Sequence, residues 1–253
     1  MNAIYRIGDR LCARLPRVQG WAQDLEREWA WLPRLAPRLS LQIPKPIAKG
    51  RPTGSYPFPW AIYGWIEGEP YSDDLVDDEE GAARDLARFV AELRRVGPAP
   101  GAPRAGRPPL RELDAVTREA ILSSRHVLDV EAANAAWERA LGAPVWGGTP
   151  VWIHADLLRP NLLVREGRLR AVIDFGGVGM GDPAADVIPA WSVFGRAGRR
   201  VFRNSLHVDD GTWNRARGFA LHQAAMIIPY YCETNPRFVA LARRTVEEIL
   251  ADS

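Results

Sequence analysis

The sequence is poor in cysteine and lysine, and it has no long apolar run. Its cysteines, Cys12 and Cys232, lie far apart without the paired spacing of a zinc site or a disulfide framework, so we expect both to be reduced thiols in the core. No apolar stretch approaches the roughly 20 residues of a membrane helix, and the first residues lack the pattern of a secretory signal. These absences predict a cytoplasmic protein with no membrane partner.

Charge is not concentrated anywhere in the chain. The net charge is +2, and the 33 basic residues are spread along the sequence rather than gathered in a block, which argues against a nucleic-acid partner. Only Lys45 and Lys49 are lysines. With 253 residues, of which 47% are hydrophobic and 25% charged, the chain can form one large core or two smaller lobes.

Periodicity divides the chain into two lobes. Alternating residues predict a hairpin at 3–7 and 11–15, then a helix over 21–35 and strands at 46–48 and 58–66. These elements predict a small lobe of strands and one helix over residues 1–66. From Gly81 the apolar spacing becomes helical, which predicts a mainly helical second lobe over residues 67–253. Its further helices are expected at 111–123, 130–141, 184–195, 212–231 and 236–251, around a strand region at 150–175.

The residues with the clearest chemical meaning lie in and after that strand region. His154, Asp156 and Asn161 follow one strand in the order His-x-Asp-x-x-x-x-Asn, and Asp174 stands in Ile-Asp-Phe-Gly at the end of a later strand. Phosphoryl transfer needs magnesium, oxygen ligands that hold it, and a carboxylate that orients the attacking hydroxyl and takes its proton. The residue types fit that chemistry, with Asp156 placed to accept the proton.

Strand pairing would bring the metal ligands together. If residues 162–164 pair antiparallel with 171–173 across a turn centred on Gly167-Arg168, then Asn161 and Asp174 lie opposite each other and reach one metal ion. Each piece also has a plainer interpretation, because a lone His-x-Asp is often a hydrogen-bonded pair and Asp-Phe-Gly can be a simple turn. The ordered combination favours catalysis.

This combination resembles the catalytic and metal-binding loops of the aminoglycoside phosphotransferase family. Residues 181–186 and 229–236 are also similar to that family, so the resemblance covers nearly the whole chain. It implies an α+β, two-lobed protein-kinase-like fold, with a small β-sheet N lobe that binds the nucleotide and a mainly helical C lobe that carries catalysis and substrate binding.

The resemblance also implies roles for single residues. Asp156 would be the catalytic base, and Asn161 and Asp174 would be the Mg²⁺ ligands. His154 would belong to the catalytic loop and support its geometry rather than react. Asp186 would brace the loop from the following helix.

In the first lobe the resemblance implies a site for ATP or GTP. It places a basic residue on the third strand, paired with a helix glutamate, and Arg14 and Glu28 occupy these positions, although such residues are often only solvated surface. An arginine in place of the usual lysine would hold phosphate with a forked geometry. The backbone of the hinge, which includes Tyr63, Trp65 and Ile66, would hydrogen-bond the edge of a purine.

The resemblance also places the start of the chain in the second strand of the N lobe, so that the first strand and the phosphate-covering loop before it would be missing. A start codon assigned too late and a genuine loss both explain this.

Asp182 and Glu233 are candidates to attract a cationic substrate, although such acids often face water. His222 lies in an apolar helix and is expected to be a satisfied interior residue.

The expected function is therefore transfer of the γ-phosphate of a nucleotide to a hydroxyl group of an aminoglycoside-like small molecule, with an aspartate base and Mg²⁺. One alternative is a kinase of another small alcohol, such as choline, homoserine, a sugar or a macrolide. The other is a non-catalytic nucleotide-binding protein.

Overall fold

The computed structural model describes residues 2–252. The first lobe consists of the strands β1 (Ala3–Ile7), β2 (Leu11–Leu15), β3 (Pro46–Gly50) and β4 (Trp60–Gly64), with the helix α1 (Gln19–Leu35) between β2 and β3 in the chain. The four strands form one antiparallel sheet in the order β1-β2-β4-β3. The predicted hairpin, helix and later strands are thus confirmed to within a few residues.

Helix α1 packs one apolar face against this sheet. Leu25, Leu32 and Leu35 recur at helical spacing and have no exposed surface. Glu28 lies on the same face and is equally buried, although it carries a charge. Burying a carboxylate costs free energy unless it is paired and hydrogen-bonded, so Glu28 requires partners inside the protein.

The second lobe is mainly helical. Its helices are α2 (Glu79–Arg95), α3 (Asp114–Ser123), α4 (Val130–Leu141), α5 (Pro189–Ser192), α6 (Arg196–Leu206), α7 (Asp210–Tyr231) and α8 (Pro236–Ala251). Aspartate or asparagine side chains cap the first turns of α2, α4, α7 and α8 by accepting from backbone N–H groups. The fully buried Trp137, Trp152 and Trp191 fill the core between the helices.

Two small sheets carry the loops of interest. One contains β5 (Glu69–Pro70), β7 (Leu162–Arg165) and β8 (Arg168–Val172) in the order β5-β7-β8, and the other pairs β6 (Val151–Ile153) with β9 (Gly179–Gly181). The predicted antiparallel pairing of β7 with β8 is confirmed. Its turn is centred one residue earlier than predicted, on Glu166-Gly167, where both residues have positive φ angles. The division between lobes at residue 66 stays a prediction.

The helix predicted over residues 184–195 is wrong. A 3-10 turn occupies Pro183–Val187, the short α5 covers only Pro189–Ser192, and Gly195 takes an extended conformation at the N-cap of the next helix, α6. Helix α6 was missed entirely. It buries Gly198, Arg199 and Phe202, so its inner face lacks the apolar pattern by which helices are recognised.

The prediction for the cysteines is only partly right. Cys12 is half-buried, but Cys232 is exposed in the segment after α7, so it is not a core thiol. His222 is satisfied as expected, because its Nδ1 lies 2.8 Å from Oγ1 of Thr117. Within residues 2–252, no helix combines the length and the apolar character needed to cross a membrane.

Candidate active site

The loop between β6 and β7 is fixed by a buried carboxylate. Asp186 accepts hydrogen bonds from the backbone N–H groups of His154 and Ala155, both at 2.8 Å. Ala155 has a left-handed backbone with φ 71, a conformation that costs a non-glycine residue about 1 kcal/mol or more. The two bonds to Asp186 hold the loop in this conformation.

His154 supports the loop from inside. Its ring is fully buried and packs edge-on against Phe175 at a centroid distance of 4.5 Å. Nδ1 accepts from the backbone N–H of Asp156 at 3.2 Å, so the proton lies on Nε2, which donates to the carbonyl of Ile173 at 3.1 Å. With both nitrogens engaged in the interior, His154 has a supporting position rather than one at a reacting group.

The carboxylate of Asp156 is held by two amide groups. Nδ2 of Asn161 donates to its Oδ2 at 3.0 Å, and Nε2 of Gln223 donates to its Oδ1 at 3.1 Å. Gln223 lies on α7, and sequence reasoning missed it because a single glutamine in a helix carries no motif. The residue two helical turns later, Tyr231, lines the same cleft. Asp156 is therefore fixed in orientation by both the loop and the helical lobe.

Two oxygen donors remain for a cation. Because Nδ2 of Asn161 is bound to Asp156, its Oδ1 is left without a donor among residues 2–252. Asp174 has a left-handed backbone with φ 63, and its side chain is 52% exposed. Among the described residues, its carboxylate is engaged only at Oδ1, by Arg14 at 2.9 Å. Amide and carboxylate oxygens are the hard ligands that Mg²⁺ prefers, so this donor set fits magnesium.

Arg14 joins the two lobes through a charged network. Its Nη1 donates to Oε1 and Oε2 of Glu28 at 2.6 and 2.7 Å, and the hydroxyl of Tyr63 donates to Oε2 at 3.0 Å. Burial raises the pKa of Glu28, while the charge of Arg14 and the hydrogen bonds donated by Arg14 and Tyr63 oppose this effect. Burial also disfavours the charge of Arg14, but the carboxylates of Glu28 and Asp174 outweigh it and raise its pKa. The predicted pairing of Arg14 with Glu28 is present in the structure.

These groups line one cleft of about 830 Å³ between the lobes. Two residues of α1 that the sequence did not single out, Asp24 and Arg27, also face it. Arg27 donates to the carbonyl of Gly176 at 2.9 Å, and a Cβ at Gly176 would lie only 2.9 Å from that of Asp24. Glycine at position 176 thus allows α1 to approach the Asp174 loop closely.

The chain matches the model of the phosphotransferase enzyme family over residues 2–219. It belongs to that family. This membership confirms the resemblance drawn from the motifs around Asp156 and Asp174.

The chain is also similar to individual proteins. It is 29% identical to the viomycin phosphotransferase of Streptomyces vinaceus over 201 aligned residues. This alignment covers 74% of this chain and 70% of that protein. The chain is 28% identical over 161 residues to the uncharacterized protein YcbJ of Bacillus subtilis, which covers 60% of this chain, and it spans only 49% of the length of that relative.

Solved structures show the same fold. The GDP and kanamycin complex of APH(2")-IIia superposes with a TM-score of 0.73 at 20% identity, over 100% of this chain and 90% of that chain. The predicted α+β fold, with a small antiparallel sheet in the N lobe and a helical C lobe, is confirmed.

In the segment predicted to be the hinge, residues 63–66, some backbone donors are already engaged. The N–H of Gly64 donates to Lys45 at 2.9 Å and that of Trp65 to Arg10 at 2.8 Å. The side chain of Tyr63 is turned to Glu28, as described above. Among residues 2–252, the N–H of Ile66 makes no backbone hydrogen bond, and Ile66 lines the cleft. Within the described residues, Ile66 thus has a backbone donor in this segment that is not engaged by another backbone group.

The two acids predicted to attract a cationic substrate are not grouped with Asp156. Asp182 accepts from Nε of Arg215 at 2.8 Å and from the N–H of Ala184 at 2.9 Å, so its charge is already neutralised. It lines a different cavity. Glu233 is exposed in the turn between α7 and α8 and forms no ion pair within the described residues. Contact of either acid with a substrate stays a prediction.

Proposed function

We propose that this phosphotransferase moves the terminal phosphoryl group of ATP or GTP to a hydroxyl group of a small molecule. The observation that carries the proposal is the arrangement of Asp156, whose two carboxylate oxygens are held by Asn161 and Gln223 at the cleft that Asp174 also lines. A carboxylate fixed in this way is suited to orient a hydroxyl and accept its proton.

In the proposed reaction each of these residues has a distinct part. The oxygen of the acceptor hydroxyl bonds to the terminal phosphorus of the nucleotide while Asp156 takes the proton of that hydroxyl. The bond from this phosphorus to the bridging oxygen breaks, which releases a nucleoside diphosphate. Asn161 and Asp174 would hold Mg²⁺, which neutralises phosphate charge when bound. Arg14, fixed by Glu28, supplies positive charge on the N-lobe side of the cleft, and Ile66 supplies a backbone donor for the base.

The acceptor that we propose first is an antibiotic of the aminoglycoside type. One relative is named a viomycin phosphotransferase, and one structure of the same fold holds kanamycin and GDP. A kinase of another small alcohol is the second candidate, because Asp182 is neutralised by Arg215 and adds no net negative charge for a polycation.

A transfer assay with γ-labelled ATP and GTP, Mg²⁺ and a panel of aminoglycosides and other small alcohols tests the proposal. We expect a labelled product with at least one acceptor, and we expect Asp156→Asn to lower its rate by about a hundredfold or more while nucleotide binding persists. Asp85→Asn is the matched control, since Asp85 lies on α2 and does not line the cleft.

Two results would contradict the proposal. Transfer at the wild-type rate in Asp156→Asn would remove the assigned base. Calorimetric binding of nucleotide and Mg²⁺ without transfer to any acceptor would favour the non-catalytic nucleotide-binding protein.

A further inference from the structure

A second cavity, of about 230 Å³, lies in the helical lobe near the candidate active site. It is enclosed by the loop that precedes α3, by the segment after α4, and by the N-terminal half of α7. Its polar lining is dominated by cations, namely Arg107, Arg111 and Arg215, with Asp182 and the indole of Trp146 beside them.

The charge of this cavity is not balanced. Arg215 is neutralised by Asp182, to which its Nε and Nη2 donate at 2.8 and 3.1 Å. By contrast, neither Arg107 nor Arg111 forms a side-chain hydrogen bond or an ion pair with any residue between 2 and 252. Trp146 likewise leaves its indole N–H without an acceptor in that range. The cavity therefore presents donors and positive charge that the protein itself does not use.

Arg107 is not simply the counter-charge of nearby acids. It is half-buried, and burial lowers its pKa while the carboxylates of Asp156 and Asp186 act in the opposite direction. The oxygens of both carboxylates, however, are occupied by amide and backbone N–H groups, as described above. A guanidinium group stays protonated and has five N–H donors, so Arg107 still lacks hydrogen-bond acceptors.

The cavity lies along α7 from the candidate base. Arg215, Phe219 and Gln223 follow one another at intervals of four residues on one face of that helix, and each interval corresponds to about 6 Å. Arg215 and Phe219 line the cavity, whereas Gln223 holds Asp156. Arg215, at the cavity, therefore lies about 12 Å along the helix axis from Gln223, which holds Asp156.

We propose that this cavity binds an anionic group, a carboxylate or a phosphate, through the guanidinium groups of Arg107 and Arg111. Planar guanidinium groups hold such oxygens with paired, charge-assisted hydrogen bonds, and the indole N–H of Trp146 adds a neutral donor. The anion is either part of the phosphoryl acceptor or a separate small ion. The case in which the anion is part of the acceptor rests on the proposed function, whereas anion binding by the cavity does not.

Inorganic phosphate is the probe for the site. We expect the wild-type protein, without nucleotide or Mg²⁺, to bind phosphate in a calorimetric titration, and Arg107→Gln to weaken this binding by about tenfold or more. Arg125→Gln is the matched control, because Arg125 is exposed, has no side-chain partner within the described residues and does not line the cavity. It should bind phosphate as the wild type does. Equal affinity of Arg107→Gln and the wild type, or no phosphate binding at millimolar concentration, would overturn the proposal.

A second measurement needs no variant of Arg107. Burial, followed by the charge of Arg107, lowers the pKa of His222 to about 4. Phosphate bound at Arg107 would offset that charge, so we expect it to raise the pKa of His222 in an NMR titration of the imidazole resonances. An unchanged pKa under saturating phosphate would place the bound ion elsewhere and refute the site.

The two sources of the anion are separated by the transfer assay. If the anion belongs to the acceptor, both inorganic phosphate and Arg107→Gln raise the KM of an acceptor that bears a carboxylate. Neither changes the KM of the methyl ester of that acceptor, because the ester carries no anionic group. If the anion is a separate ion, acceptor KM values do not respond. Loss of phosphate binding in Arg107→Gln together with no transfer at all would uphold the site and reject the proposed function.

Discussion

Replacing Tyr63 by phenylalanine tests the buried network that holds Arg14. The change removes one hydroxyl group, which donates to Oε2 of Glu28 at 3.0 Å, and leaves the aromatic ring in place. Glu28 has no exposed surface, so water cannot replace the lost donor. A hydrogen bond to a charged group contributes about 1.5–3 kcal/mol, and we expect the free energy of unfolding to fall by that amount. For a protein of this size, that corresponds to a Tm decrease of about 3–12 °C.

Urea unfolding followed by circular dichroism measures the effect. We expect a lower midpoint with an unchanged m-value, since only the native state is altered. Tyr230→Phe removes the same atom from a side chain that is 76% exposed and whose hydroxyl has no partner within residues 2–252, so it should change stability by less than about 0.5 kcal/mol. Equal midpoints for the two variants would refute the assigned role of the Tyr63 hydroxyl. In the transfer assay, Tyr63→Phe should also raise the nucleotide KM, because Glu28 then holds Arg14 less firmly.

Three further changes have clear expected outcomes. Gln223→Met should lower kcat about tenfold with little change in nucleotide KM, because Asp156 loses the donor on its Oδ1, and an unchanged kcat would contradict this positioning role. Gly176→Ala should destabilise the fold by about 1–3 kcal/mol in urea, because the new Cβ would lie 2.9 Å from that of Asp24, and wild-type stability would show that α1 moves away freely. The pKa of His222 is lowered from 6.5, its ordinary value, to about 4 in the folded protein. The stability that neutral His222 contributes is therefore complete above pH 6.5 and is lost as the pH falls toward 4. Between pH 7 and 4, the wild type should therefore lose up to about 3 kcal/mol more than His222→Gln, and parallel losses in the two proteins would contradict this.

Local patterns predicted most of the framework. The hairpin of β1 and β2 and the helices α1, α2, α7 and α8 follow from apolar spacing and from residues close in sequence, and all are present. Helix α6 was missed because its buried face includes an arginine, Arg199, which is satisfied by Glu248 and Asp252 of the C-terminal helical region. A buried charge of this kind is recognisable only once its partners are in place.

The sequence by itself determined the family and the candidate residues: the order of His154, Asp156, Asn161 and Asp174 around the strands predicted the oxygen donors of the site. Strand and loop geometry constrain such short spacings directly. The tertiary structure alone decided which charges stay available. Gln223 binds Asp156 across 67 residues of sequence, and Arg215 neutralises Asp182 across 33. Arg107, by contrast, has no hydrogen-bond acceptor in the part of the chain that the structure describes. Such contacts depend on how α7 packs against the loops, and no local spacing encodes that packing.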